Sequence, residues 1–319
     1  MAPDPLIILS PPRSFSSVVS TMIGEHPDLY CFPELHLFVA QTVAEVIERE
    51  SKNGHYSGPQ GLLRAIAELR EGRQTTSGII RAGLWLNARR DWTVKQLFDE
   101  LLAAVEPAIG IEKSPVTSMR VAFLNNVRHC YPKAKYLHLT RHPVSTRLSM
   151  QEFFSERKTL RRLTERTRSL EMDHMLIWYH MHRNILEFSS NLPDGQVFRI
   201  KGEDLLSSPD LYLPQIADWL GVRTDREAIE QMKHPENSPY ARIGPMHARG
   251  GNDGKFMSSP NLRQTQVPEP SLDAFFEAEP TQWISAQGEA LLGDLGLEFV
   301  NQPFIKNEMR GLSQRLGYH

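Results

Sequence analysis

The sequence predicts an α/β fold: a central parallel β-sheet with helices on both faces. Three observations carry this. Short apolar runs recur at residues 5–9, 29–32, 109–111, 134–140 and 196–200, each bounded by Pro, Gly or charged turns. Such runs have the length of strands buried on both faces. Segments with apolar residues at helical spacing stand between them, and that alternation is the mark of a parallel sheet with crossover helices. Several of the runs also end in turns bearing a cation or a carboxylate, and ligands of open α/β sheets sit beyond the carboxyl ends of the strands.

With 319 residues, 40% of them hydrophobic and 23% charged, the chain can build a large core without staples. One domain over residues 1–319 is expected. A net charge of −2 removes any global electrostatic argument for nucleic acid. Cys31 and Cys130 form neither a disulfide framework nor a metal pattern. The amino terminus lacks the charge and apolar run of a signal segment, and no run approaches the roughly 18 apolar residues of a membrane span. A cytoplasmic protein without a membrane span is expected.

The first strand, Pro5-Leu6-Ile7-Ile8-Leu9, leads into Ser10-Pro11-Pro12-Arg13-Ser14-Phe15-Ser16-Ser17 and then a helix from Val18 to Ile23. A helix start directs unpaired backbone N–H groups at what precedes it and favours an anion. The hydroxyls of Ser14, Ser16 and Ser17 and the forked cation of Arg13 add to that preference. The glycine-lysine pattern of a Walker A loop is missing. After the second strand, Pro33-Glu34-Leu35-His36 places a carboxylate and an imidazole at the same sheet edge.

Residues 37–108 read as a helical insertion that covers the site, with a break at Ser51-Lys52-Asn53-Gly54 and a polar loop from Gln74 to Gly78. Thr93-Val94-Lys95-Gln96 has the form of a capping box. Lys113 follows the third strand, and residues 116–131 read as the helix that crosses back. Arg141-His142-Pro143 ends the fourth strand, with Pro143 in the first turn of the next helix. Ser149 lies eight residues after Arg141, so a phosphate at that helix mouth can meet both. Residues 155–170 are rich in charge, with Arg157, Lys158, Arg161, Arg162, Arg166 and Arg168. This is a solvated helix face or a docking surface for an acidic partner. Helices are expected from Met175 to Phe188, Asp210 to Leu220, Ser271 to Ala278 and Thr281 to Leu292. Residues 235–268 form a long polar loop or lid, most loop-like from Ala248 to Phe256.

Taken in order, Pro12-Arg13-Ser14-Phe15-Ser16-Ser17, Glu112-Lys113-Ser114-Pro115 and Arg141-His142-Pro143 with Ser149 resemble the motifs of sulfotransferases that use 3′-phosphoadenosine 5′-phosphosulfate (PAPS; product PAP). The resemblance runs from residue 6 to about residue 260 and implies a P-loop-like sulfotransferase fold. It implies that Arg13, Ser14, Phe15, Ser16 and Ser17 hold the 5′-phosphosulfate and that Arg141 and Ser149 hold the 3′-phosphate. Gly250, Gly251 and Lys255, within Gly250-Gly251-Asn252-Asp253-Gly254-Lys255-Phe256, are similar to the family's late glycine-rich cofactor loop. His26-Pro27-Asp28 through Glu34 resembles the tyrosylprotein sulfotransferases, whose catalytic carboxylate and strand-end lysine fall where Glu34 and Lys113 stand.

Two departures stand out. Phe15 replaces the family's usual glycine, and a side chain there resists positive φ. The loop is therefore expected to be shaped differently, or to be covered by the phenylalanine. Met257-Ser258-Ser259 stands where several relatives carry a histidine, which moves the role of base to Glu34, with His36 as runner-up.

The segments Pro33-Glu34-Leu35-His36-Leu37 and Trp178-Tyr179-His180 through Leu206 look most like the sulfotransferase domains of bacterial polyketide-type pathways. Those act in secondary metabolism on β-hydroxyacyl chains held by carrier proteins. The acceptor implied is a hydroxyl on a small molecule or on such a carrier-bound chain. An acidic carrier would suit residues 157–168, and no nucleic-acid partner is expected. No metal is expected, because the transferred sulfonate carries less charge than a phosphoryl group and no metal motif is visible. Arg13 and Lys113 are expected to stabilise the leaving and bridging oxygens. The competing readings are a nucleotide-binding kinase, against which the missing glycine-lysine loop speaks, and a non-catalytic nucleotide-binding module, which Phe15 keeps open.

Overall fold

Five strands pair side by side in a computed structural model that describes residues 2–52, 59–161, 174–262, 270–278 and 302–318, the first four largely buried. They are β1 (Leu6–Leu9), β2 (Leu29–Cys31), β3 (Ile109–Glu112), β4 (Lys135–Thr140) and β5 (Val197–Lys201). The sheet order is β2-β3-β1-β4-β5, and every pairing is parallel. β1 is central. Its Leu6 is level with Ile111 of β3 on one side and Lys135 of β4 on the other. The chain builds one half of the sheet on one side of β1, then crosses to the other, which opens a crevice at the carboxyl end of β1.

Side chains alternate across the strands. Leu6 and Ile8 pack with α1 (Ser16–Gly24) and α9 (Pro209–Leu220) through Val19, Met22, Leu213 and Ile216. Ile7 and Leu9 face the opposite layer. That layer includes α6 (Val121–Cys130) and four helices between β2 and β3: α2 (Val43–Lys52), α3 (Gln60–Glu71), α4 (Thr76–Asn87) and α5 (Val94–Ala103). Helices thus cover both faces, as the apolar runs predict. Thr93 and Gln96 form the expected capping box on α5.

Some boundaries differ from expectation. The stretch 74–78 is not all loop: Thr75 accepts the N–H of Gly78 through its side chain and starts α4 at Thr76. Residues 116–131 are not one helix. A 3-10 turn (Pro115–Met119) precedes α6, and extended backbone at Arg120 separates them. In the late loop, Asp253 caps a short helix, α10 (Gly254–Ser258), through the N–H groups of Lys255 and Phe256. Helix α7 (Pro143–Arg161) follows β4, and α8 (His174–Ser189) covers residues 175–188 as expected. The basic side chains from Arg157 to Arg168, Gly54 and the helix expected at 281–292 lie outside the described residues. Among the described residues no helix is long and apolar enough to cross a membrane.

Beneath α8, His138 of β4 and His182 are fully buried against one another, Nε2 to Nδ1, at 2.9 Å. Burial holds His138 at about 3, with Arg199 adding to the effect; burial and then His138 hold His182 well below its ordinary value. The unfolded chain binds protons on both below about pH 6.5, and the folded chain does not. Stability is therefore fully present above pH 6.5 and is lost as the pH falls toward 3, by up to about 1.4 kcal/mol per pH unit for each histidine. Thermal melts at pH 7.5 and 5.5 should show a lower Tm at 5.5, and a His182→Leu variant should show a smaller difference. An equal difference in both proteins would remove this pair as the cause.

Candidate active site

At the crevice beyond β1 the chain turns twice through left-handed backbone before α1, at Arg13 (φ 66°) and Phe15 (φ 61°). The position where a side chain was expected to resist positive φ adopts it nonetheless. The loop therefore takes a glycine-like course, and the expectation of a different shape is corrected. Ring contacts with Arg141 (4.1 Å, guanidinium carbon to ring centroid) and the space beside Gly202 hold Phe15 there.

The turn aims the start of α1 at the crevice. Ser14, Ser16 and Ser17 are buried, and the Ser14 hydroxyl has no partner. Lys113, one residue past β3, is fully buried, and each of its three protons is used. It donates to Glu34 Oε1 at 2.6 Å, Ser17 Oγ at 3.1 Å and Asn252 Oδ1 at 3.2 Å. Arg13 donates from Nε to Ser149 Oγ at 3.1 Å and pairs with Asp253 through Nη1. Arg141 donates from Nη1 to the carbonyl of Arg13 at 2.6 Å, while its Nε is buried without a partner.

The carboxylate side of the site is a chain of charges. Glu34 Oε2 lies 3.4 Å from His36 Nε2, and His36 Nδ1 lies 3.0 Å from Glu50 Oε1 of α2. His36 is itself left-handed (φ 55°), with its N–H held by Ser114 Oγ, which donates in turn to the buried Glu112. Burial alone would raise Glu34, but Lys113 and His36 outweigh it and bring it down to about 2. Burial alone would lower His36, but Glu34 and Glu50 raise it to about 10. At neutral pH the site therefore holds an ionised Glu34 and a charged His36. An imidazolium has no lone pair to take a proton, so Glu34 is the stronger candidate for a base.

The late loop closes on the site through Asn252 and Asp253. Gly250 and Gly251 meet protein backbone and side chains: the Gly250 N–H donates to Gln60 Oε1 at 2.6 Å, and the Gly251 carbonyl accepts the N–H of Glu34 at 2.7 Å. Arg64 of α3, buried, donates to the carbonyls of Gly250 and Arg242 and ties the loop to the helical insertion. Lys255 pairs with Glu152 at 2.5 Å, half exposed. The residues that reach the crevice are Asn252 and Asp253, to which sequence reasoning assigned no role. Glu50 was also missed, although it continues the apolar face of Val43, Val46 and Ile47 at i+7, and a carboxylate there is a signal. Among the described residues no group of His, Cys, Asp and Glu could hold a metal ion.

The residues fit a polyanion. Two guanidinium groups and a buried ammonium converge on one helix start. Burial lowers Arg141 to about 10; Glu203 partly opposes this and nearby Arg13 adds to it, a cost that an added anion would relieve. The model of the family described as "Sulfotransferase family" matches residues 5–226. The chain belongs to the sulfotransferase family. The enzyme class read from the motifs, a PAPS-dependent sulfotransferase, is the one this membership supports. Two solved structures share the fold. One is the sulfotransferase domain from the curacin biosynthetic pathway, with a TM-score of 0.66, 21% identity, and 93% of this chain and 99% of that chain covered. The other is the sulfotransferase domain from the Synechococcus PCC 7002 olefin synthase, with a TM-score of 0.65, 23% identity and 94% and 96% covered. No curated protein matches this sulfotransferase.

Proposed function

We propose that the protein transfers a sulfonate group from PAPS to a hydroxyl acceptor, with Glu34 as the base. The observation that carries this reading is Lys113: a fully buried cation bonded at once to the anion-favouring start of α1, through Ser17, and to the carboxylate Glu34. Residues 13–17 and Lys113 would hold the 5′ end of the cofactor, and Arg141 with Ser149 the 3′-phosphate. When bound, the cofactor supplies the sulfonate and a phosphate leaving group. Glu34 receives the acceptor's proton at Oε2, which His36 steadies at 3.4 Å. An anion at the start of α1 competes for Lys113, and a Glu34 that shares its lysine gains basicity. Arg13 and Lys113 meet charge that grows on the leaving oxygens without needing to reorganise.

For the acceptor, support comes from the resemblance of residues 33–37 and 178–206 to polyketide-type domains, and two relatives in fold are described as sulfotransferase domains of the curacin biosynthetic pathway and of an olefin synthase. A β-hydroxyacyl chain on a carrier protein is the reading these support. PAP should raise the Tm by several degrees at 100 times its Kd, since such binding contributes about 2.7 kcal/mol. Adenosine 5′-monophosphate (AMP), which lacks the 3′-phosphate, should raise it much less at the same concentration. Equal shifts would refute the assignment of Arg141 and Ser149.

A further inference from the structure

Phe15 stands where the family resemblance leads one to expect glycine, and its backbone keeps a glycine's conformation at φ 61°. An L-residue with a large side chain adopts that region only against a steric penalty. The ring must therefore do something that a bare glycine cannot. One face of it carries the Arg141 guanidinium at 4.1 Å. Its edge lies against Gly202, the residue after β5, so closely that a Cβ on Gly202 would stand 2.6 Å from Phe15 Cδ2. Arg141 is thus fixed from three directions. Phe15 lies under its plane, the Arg13 carbonyl takes Nη1, and Trp178 Nε1 holds its own carbonyl at 2.8 Å. A stacked guanidinium keeps its fork in one orientation, and an anion that meets it loses less freedom per hydrogen bond. Its Nε–H is buried with no protein partner.

We infer that Phe15 is a positioning residue for Arg141 and sets the preference of this enzyme for a nucleotide bearing a 3′-phosphate. The inference rests on the reading of Arg141 as a 3′-phosphate ligand given above. Phe15 needs no contact with the nucleotide in this role. It acts by presenting Arg141, and Gly202 acts by leaving the ring its place.

Titration calorimetry of the full chain with PAP and with AMP tests this, comparing Phe15→Gly, Phe15→Leu and Gly202→Ala with the parent. Phe15→Gly should weaken PAP binding about tenfold, between the scales of an exposed and a desolvated cation–π contact, and weaken AMP binding by a smaller factor. Its Tm should hold or rise, because glycine relieves the backbone at φ 61°. Phe15→Leu, which fills the space without a ring face, should lose the same preference. Gly202→Ala should lower the PAP preference in the parent and have little further effect on Phe15→Gly, since the ring it displaces is gone. In turnover, Phe15→Gly should raise KM for PAPS by a larger factor than it changes kcat. A parent that prefers PAP and a Phe15→Gly variant that keeps the whole preference would overturn the role of Phe15 alone. A parent that binds PAP and AMP equally would overturn the cofactor reading and this inference with it.

Discussion

Glu34→Gln should lower kcat by about 10²–10⁴-fold, the usual contribution of a positioned base, while PAP still raises the Tm as it does in the parent. The amide keeps the size of the carboxylate and can still accept from Lys113 at Oε1, so the loop proposed to receive the cofactor stays in place. It cannot accept a proton at neutral pH. The change also removes one of the two carboxylates that raise His36, so the pKa of that imidazole should fall, with Glu50 alone left to hold it up. Turnover at saturating PAPS and acceptor decides the matter. A variant within a few-fold of the parent would make the pairing of Glu34 with Lys113 structural and place the base elsewhere.

Lys113→Met should be damaging in two separate ways. The methionine fills much of the lysine's volume but leaves Glu34 with His36 as its nearby cation and the Ser17 and Asn252 oxygens without their shared donor. Breaking a buried ion pair by removing one partner costs roughly 3–5 kcal/mol. Glu34 remains partly open to solvent, which places the expected loss near the lower end, about 3 kcal/mol by urea unfolding. Activity should fall by about 10²–10³-fold, as for other preorganised donors that meet developing charge. With its largest lowering influence gone, Glu34 should also titrate higher, so the acid limb of the residual rate profile should move upward in pH. Lys113→Arg should rescue neither property, because the guanidinium is larger and its fork does not fit a site built for three divergent donors. A Lys113→Met protein as stable as the parent would remove the ion pair from the account of this site.

Much of the sheet was legible because its strands are short, apolar and bounded by turn residues, and each strand end announced itself by a charge. The chemistry-bearing residues could be read for the same reason: Lys113 and Arg141 follow a strand directly, and Arg13 and Glu34 stand four and three residues past one. What escaped was held by contacts with no local period. Asp253 meets Ser17 across 236 residues of chain and Arg64 meets Gly250 across 186, and neither distance leaves a pattern in a window of ten. Phe15 was visible as a departure but was misjudged. A Cβ does oppose positive φ, yet here Arg141 and Gly202 hold the ring where the backbone would not settle unaided.

The tie between Asp253 and the first loop also has a temporal side. A ribosome adding about 5–20 residues per second makes Ser17 some ten to fifty seconds before it makes Asp253. During that interval β1 gains its neighbours β3 and β4 and Lys113 is made, but Lys113 still lacks its Asn252 acceptor and Arg13 its Asp253 carboxylate. Contacts of such long separation are also the slowest to close in refolding. The nascent chain therefore carries an anion-seeking arginine and serine cradle for much of its synthesis. The site is complete only when the last of those partners has emerged and swung back onto its oldest turn.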